Sequence, residues 1–206
     1  VKYNNNSISA VTAAASIPSG SLILIKTLTA SSSATLSFVH GTDGVILDST
    51  YPIYQFEFIN MHPATDNVNF TFNLSTDSGS NYNVTKTTTA FRAYHGEITG
   101  YTGLEYDPPD DLAQSTSDSI LTVGGGLGND ADQNVSGSLT IYNPSSTVFV
   151  KHFIARVSNY NFDNYQLDGF SAGYGNTTSA VDAIRFKMSS GNIDDGKIKL
   201  YGIKDS

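Results

Sequence analysis

Apolar and polar side chains alternate in steps of two along much of this chain. Tyr54, Phe56 and Phe58 alternate with Gln55, Glu57 and Ile59, and Val68, Phe70, Phe72 and Leu74 alternate with Asn69, Thr71 and Asn73. Successive side chains of a strand point to opposite faces, so this period predicts half-buried β-strands. The eight residues Asn60 to Asn67, with Pro63, Asp66 and Asn67 among them, read as a hairpin loop between the two runs. Shorter strands are predicted at Leu22 to Leu28, Ala34 to Val39, Ser138 to Tyr142 and Thr147 to Ser158, with Asn143-Pro144-Ser145-Ser146 as the turn between the last two. At the far end, Ile184, Phe186 and Met188 alternate with Arg185 and Lys187. Ile198 and Leu200 then alternate with Lys197, Lys199 and Tyr201, which predicts a closing β-hairpin around a Gly/Asn/Asp turn. Thr87 to His95 breaks the rhythm. Phe91 lies three residues, and Ala90 four, before Tyr94, the spacing of one or two helical turns.

About ten strands with no βαβ spacing imply an all-β chain with little helix, an antiparallel β-sandwich of jelly-roll type. The polar, Ser/Ala-rich residues 1–20 read as an N-terminal arm, and 21–206 as a single β-sandwich domain. Tyr101 to Gln133 is the least regular stretch and reads as a long loop, either an interface element or a mobile tip.

Composition narrows the chemistry. Charged residues make up only 15%, and Asn, Ser, Thr and Gly take their place, which suits strands and tight turns better than long helices. The formal net charge of −8 repels phosphate backbones, so no nucleic-acid partner is expected. The absence of cysteine excludes disulfides and thiolate metal sites. The longest apolar run, Leu22-Ile23-Leu24-Ile25, is far short of the roughly 18–20 residues that cross a bilayer, so no membrane insertion is expected. The opening VKYNNNSISAV has no apolar signal segment. An extracellular role would therefore call for another route out, such as release by lysis.

Two loops hold acidic residues in patterns used by calcium sites. Gly125-Gly126-Leu127-Gly128-Asn129-Asp130 matches the start of a calcium-binding nonapeptide repeat, but Asp132 sits where that repeat needs an apolar residue and no second copy follows. A loop is the plainer reading. Asp107, Asp110 and Asp111 surround two prolines and read as a solvated loop, with a divalent ion at a subunit junction as the alternative. His40, His62, His95 and His152 show no HxH or HExxH spacing. No nucleophile elbow, P-loop or dinucleotide fingerprint occurs. Tyr160, Tyr165 and Tyr174, set among Asn and Asp, suit a protein interface first and a glycan second. The expectation is therefore no catalytic, cofactor-binding or metal residues, and a protein that is not an enzyme.

The end of the chain, GNIDDGKIKLYGI from Gly191 to Ile203, resembles the "GN(F/I)xxGxxxLYGI" terminus of bacteriophage virion proteins of the fibre-like and decoration-like kinds. Asp77 to Thr85 resembles the group's "(D)xGxxYxxT" segment. Ser138 to Ser146 is similar to its "xIxIxNxxx" strand and turn, and Val148 to Arg156 to the strand that follows, with Lys151 at the group's common position. The likeness runs from about Tyr54 to Ile203, while Thr99 to Gln133 has no counterpart. It implies a non-enzymatic structural protein of the virion, exposed on the particle and homotrimeric. A tail-fibre or tail-tip subunit touching the host surface is favoured over a capsid decoration or cement protein. The partners implied are further copies, a tail adaptor or major capsid protein, and a host surface glycan. A carbohydrate-binding module or depolymerase is the alternative of another class.

Overall fold

A computed structural model of the chain describes residues 21–98 and 100–204. The expected arm, residues 1–20, lies outside them. The described residues form β1 (Leu22–Thr29), β2 (Leu36–Val39), β3 (Ile53–Pro63), β4 (Phe70–Ser75), β5 (Lys86–Gly96), β6 (Thr102–Tyr106), β7 (Ser119–Ile120), β8 (Val135–Tyr142), β9 (Lys151–Tyr160), β10 (Tyr165–Gly175), β11 (Ala183–Met188) and β12 (Ile193–Ile203). A 3-10 turn at Pro108–Asp110 follows β6. No helix among the described residues is long and apolar enough to cross a membrane.

The strands make two antiparallel sheets packed as a β-sandwich, as the two-residue rhythm predicts. The wide sheet runs β1-β12-β3-β8-β9-β10-β5-β6 and the narrow sheet β2-β11-β4-β7. Pairing is nested: β1 lies beside β12, and β2 beside β11. The core between the sheets is aromatic. Phe186 of β11 meets five other rings, those of Phe38, Phe56, Phe58, Phe70 and Phe72, at centroid separations of 5.2–6.4 Å. Burying side chains of this kind contributes about 1.5–3 kcal/mol each.

Four local expectations are corrected. The segment from Thr87 to His95 is not helical; it lies within β5, in register with β10 from Tyr165↔Gly96 to Gly175↔Lys86. Its run of β-branched threonines suits a strand, and the cross-strand pair Phe91↔Phe170 outweighs the coincidental helical spacing. The closing hairpin does not form. β11 pairs with β2 and β4, whereas β12 pairs with β1 and β3, so the turn at Gly191 carries the chain from one sheet to the other. β3 and β4 are likewise split between sheets, and β3 continues through much of the expected Asn60–Asn67 loop to Pro63. Finally, 101–133 is not one irregular loop. It contributes β6 and β7, and buries Leu121, Val123 and Leu127.

The narrow sheet is half as many strands wide as its partner. The stretch after β6 runs first along the free edge of β5 and then beneath the overhang. Ser115 exchanges both backbone hydrogen bonds with Lys86 (2.7 and 3.0 Å), and Leu112 O accepts from Thr88 N–H at 2.9 Å. Further on, Val123 lies over Gly169, where a Cβ would be 3.2 Å from the Val123 Cβ.

Candidate functional site

The strands β9, β10, β5 and β6 expose an aromatic outer face. Register places Ile154, Ala172 and Thr89 in one row, Arg156, Phe170, Phe91 and Tyr106 in the next, and Ala93 beside Leu104. Phe91 and Phe170 stack with centroids 4.7 Å apart and planes 4° from parallel. The Arg156 guanidinium lies 4.8 Å from the Phe170 centroid and grips Asp168 through Nε at 3.0 Å and Nη2 at 2.8 Å. The pair holds the cation over the ring and satisfies its charge at the surface. A hollow of about 480 Å³ opens beside these rows, lined by Tyr142, His152, Ile154, Ala172, Tyr174 and Thr89. Leu104 (74% exposed), Tyr106 (58%) and Ile154 (54%) present large apolar surface to solvent. Clustered apolar exposure, in contrast to scattered single residues, marks a surface built to be covered.

At one end of these strands lies a second feature, a cleft rimmed by tyrosines. The β9–β10 turn is fixed by Asn161, whose Oδ1 accepts from the N–H groups of Asp163 (3.1 Å) and Tyr165 (2.8 Å). Asn164 sits in the left-handed region at φ 63°, which an asparagine tolerates. The β5–β6 turn, closed by a bond from Gly96 N–H to Tyr101 O at 2.7 Å, docks on it through Glu97 N–H, which donates to Asn164 O at 3.3 Å. The Tyr165 ring meets those of Tyr94 and Tyr101 edge-on at 6.1 and 6.3 Å. A cavity of about 330 Å³ results, lined by Glu97, Ile98, Tyr101, Asp163, Asn164 and Tyr165. Hydrogen bonding to Glu105 raises the Tyr94 hydroxyl above its ordinary value, and hydrogen bonding to Glu97 does the same for Tyr160. Both phenols stay protonated donors through neutral pH.

The residues singled out in the sequence are dispersed. Tyr160 and Tyr165 belong to the cleft end, but Tyr174 lies at the opposite end of β10, 6.0 Å from His152 ring to ring. Asp107 pairs with Arg92 at 3.3 Å, Asp110 accepts from Gly124 N–H at 2.6 Å, and Asp111 accepts from the Tyr106 hydroxyl. Burial raises the Asp110 carboxyl above its ordinary value. Each carboxylate thus has a partner within the fold. The Gly125–Asp132 stretch is anchored through Leu127, fully buried and bridged to both Val68 and Asn161, while Asp130 and Asp132 face solvent. Among the described residues no group of three or more His, Asp or Glu could hold a metal ion. His40 accepts from Leu47 N–H, His62 lies 3.8 Å from Asp194, and His95 lies against Gly96 O.

The apolar face was missed in the sequence. Its signal is the alternation Thr87, Thr89, Phe91, Ala93 within a strand, which the helical reading of that segment concealed. Compared with known proteins, the chain matches no protein-family profile, no curated protein and no solved structure.

Proposed function

We propose that this protein is a non-enzymatic structural subunit of a bacteriophage particle, exposed on the virion, which assembles with copies of itself through the outer face of the wide sheet. The observation that carries this reading is the exposed apolar surface around Phe91, Phe170, Leu104, Tyr106 and Ile154. Covering it with a second copy removes apolar area from water at about 25 cal/mol per Å². The virion assignment draws on the resemblance of the chain's end to phage proteins. A jelly-roll reading of the sandwich accords with it. With β5–β6 and β9–β10 set aside as insertions, the sheets reduce to β1-β12-β3-β8 and β2-β11-β4-β7, the order produced by folding a paired ribbon over on itself. The aromatic face is then built largely from the inserted strands. A homotrimer at a tail fibre or tail tip is the favoured placement, and capsid decoration the other.

Sedimentation of the full chain tests the assembly step. A concentration-dependent oligomer is expected, and Ile154→Asp combined with Leu104→Asp should return it to monomers without lowering the melting temperature by more than a few degrees. A wild-type chain that stays monomeric at high concentration would sink the reading. Immunogold labelling of particles carrying the protein separates tail from head.

The tyrosine-rimmed cleft favours a second reading, binding of a host glycan, since aromatic faces flanked by Asn, Asp and Glu suit sugar rings and hydroxyls. Polysaccharide retention that Tyr101→Ala and Tyr165→Ala abolish would support it. Release of new reducing ends would overturn the non-enzymatic assignment.

A further inference from the structure

We propose that Lys86 and Asn73 form an intramolecular isopeptide bond, with Lys86 Nζ joining Asn73 Cγ and ammonia leaving. The site lies where β5 of the wide sheet passes β4 of the narrow sheet, and it does not depend on the assembly role. Lys86 is 0% exposed and Asn73 2%. Lys86 Nζ lies 2.5 Å from Asn73 Oδ1 and 2.9 Å from Val84 O. A carbonyl bond is about 1.2 Å long, so Nζ is within roughly 3.7 Å of Cγ. Reacting atoms poised for attack sit about 3–3.5 Å apart, a separation one small side-chain rotation away.

The amide is pinned on both sides. Its Oδ1 accepts from Leu74 N–H at 2.9 Å, and its Nδ2 donates to Thr116 O at 3.0 Å and Asp118 Oδ1 at 2.9 Å. The Leu74 N–H is placed to stabilise negative charge developing on Oδ1. The Asp118 carboxylate stands beside the nitrogen that must leave. Arg185 (3.4 Å) and Lys187 (2.9 Å) face Asp118 from β11. Burial pushes the Asp118 carboxyl up, but hydrogen bonds from Lys187 and Asn73 and the charges of Lys187 and Arg185 outweigh it and hold the group below its ordinary value, hence ionised. Burial lowers the Lys86 amine to about 8, against the opposing pull of Asp118. A usable share of the amine is therefore uncharged near neutral pH.

The reaction balances without a co-reactant. Lys86 loses one proton, and its nitrogen lone pair attacks Cγ while the carbonyl pair moves onto Oδ1. Once bonded to Cγ, Nζ shares that carbon with Nδ2, which Asp118 Oδ1 holds at 2.9 Å, and Asp118 then takes a second proton from Nζ and passes it to Nδ2. Collapse of the tetrahedral centre breaks Cγ–Nδ2 and expels ammonia. One ammonium group is consumed, one is released after protonation in solvent, and nothing is oxidised or reduced. A covalent tie between the two sheets results in a chain that has no cysteine.

Intact-mass measurement on the folded full chain tests the proposal. A mass lower than the sequence mass by one ammonia is expected. Cleavage before Asp77 separates Asn73 from Lys86 in an unlinked chain, so the two peptides should remain joined. Chain isolated unfolded should carry the full mass and lose ammonia only after refolding. Asn73→Ala and Lys86→Arg should abolish the loss, and Asp118→Asn, which preserves the contact to Nδ2 but carries no proton, should slow it about a hundredfold or more. A folded wild-type chain at full sequence mass overturns the proposal. So does ammonia loss that mapping assigns to another asparagine.

Discussion

Phe186 shows how much of the sandwich hangs on single side chains. It has no exposed surface, and the five rings around it come from β2, β3 and β4. Phe186→Ala should cost about 3–5 kcal/mol in a denaturant titration, because rigid neighbours cannot collapse into the space left. Tyr54 gives a pH signature. Burial pushes its phenol up to about 12 from 10.0, against the lowering effect of the Asp48 N–H that it accepts from at 3.0 Å, while its own proton goes to Asp48 O at 2.9 Å. Between those pH values the folded chain retains a proton that the unfolded chain has released. Stability from this group is thus complete below pH 10 and declines as pH rises toward 12. Denaturant midpoints measured across that window should fall, and Tyr54→Phe should remove this part of the slope.

Among the elements, β12 shows how tightly backbone geometry restricts a single strand position. Between Asp195 and Lys197 its register against β3 shifts, and Gly196 occupies the bulge at φ +117°. A Cβ there would lie 2.6 Å from Asn60 O and 2.7 Å from Met61 Cα, both backbone atoms. Gly196→Ala should therefore destabilise by more than about 1 kcal/mol, read as a lowered melting temperature, through strain and collision together. Within the same segment Ile193, Ile198 and Leu200 are core residues, and Gly202 lets the Tyr51 ring approach to within 2.3 Å of where its Cβ would be. Strand existence was legible from the local apolar pattern at β1, β2, β3, β4, β8, β9, β11 and β12. Partner choice was not, because the period that marks Phe186 and Leu200 as inward-facing is the same whether their strands adjoin or sit in opposite sheets. Local spacing misled at β5 for a related reason: a lone Phe91–Tyr94 pair carries less information than the register that Phe91 finds against Phe170. The cleft was half legible. Tyr160 and Tyr165 stand out in the sequence, but Tyr94 and Tyr101 reach them only through a strand pairing that no local pattern reveals.

For the molecule as a whole, one aromatic cluster joins both sheets. Ile198 and Leu200 of the wide sheet and Phe38, Phe72 and Phe186 of the narrow one belong to a single buried group. Calorimetry should therefore show one cooperative unfolding transition, with the calorimetric and van't Hoff enthalpies in agreement. Two separated transitions would mean that the strands β5, β6, β9 and β10 melt as their own unit. Truncation after Met188 should abolish this transition altogether, since it strips β1 and β3 of the neighbour they share.

The nested pairing has a consequence in time. A strand made early, Leu22–Thr29, finds its neighbour only in one made last among the described residues, Ile193–Ile203. During translation the early strands leave the ribosome with their sticky edges unmatched, and the chain must be made at least as far as Ile203 before the wide sheet can close. Contacts so distant along the chain also slow the search for the native arrangement. Emergence of β1 and its pairing are thus separate events, with an interval between them in which a holding chaperone, or an abundance of its own copies, decides whether the chain matures or aggregates.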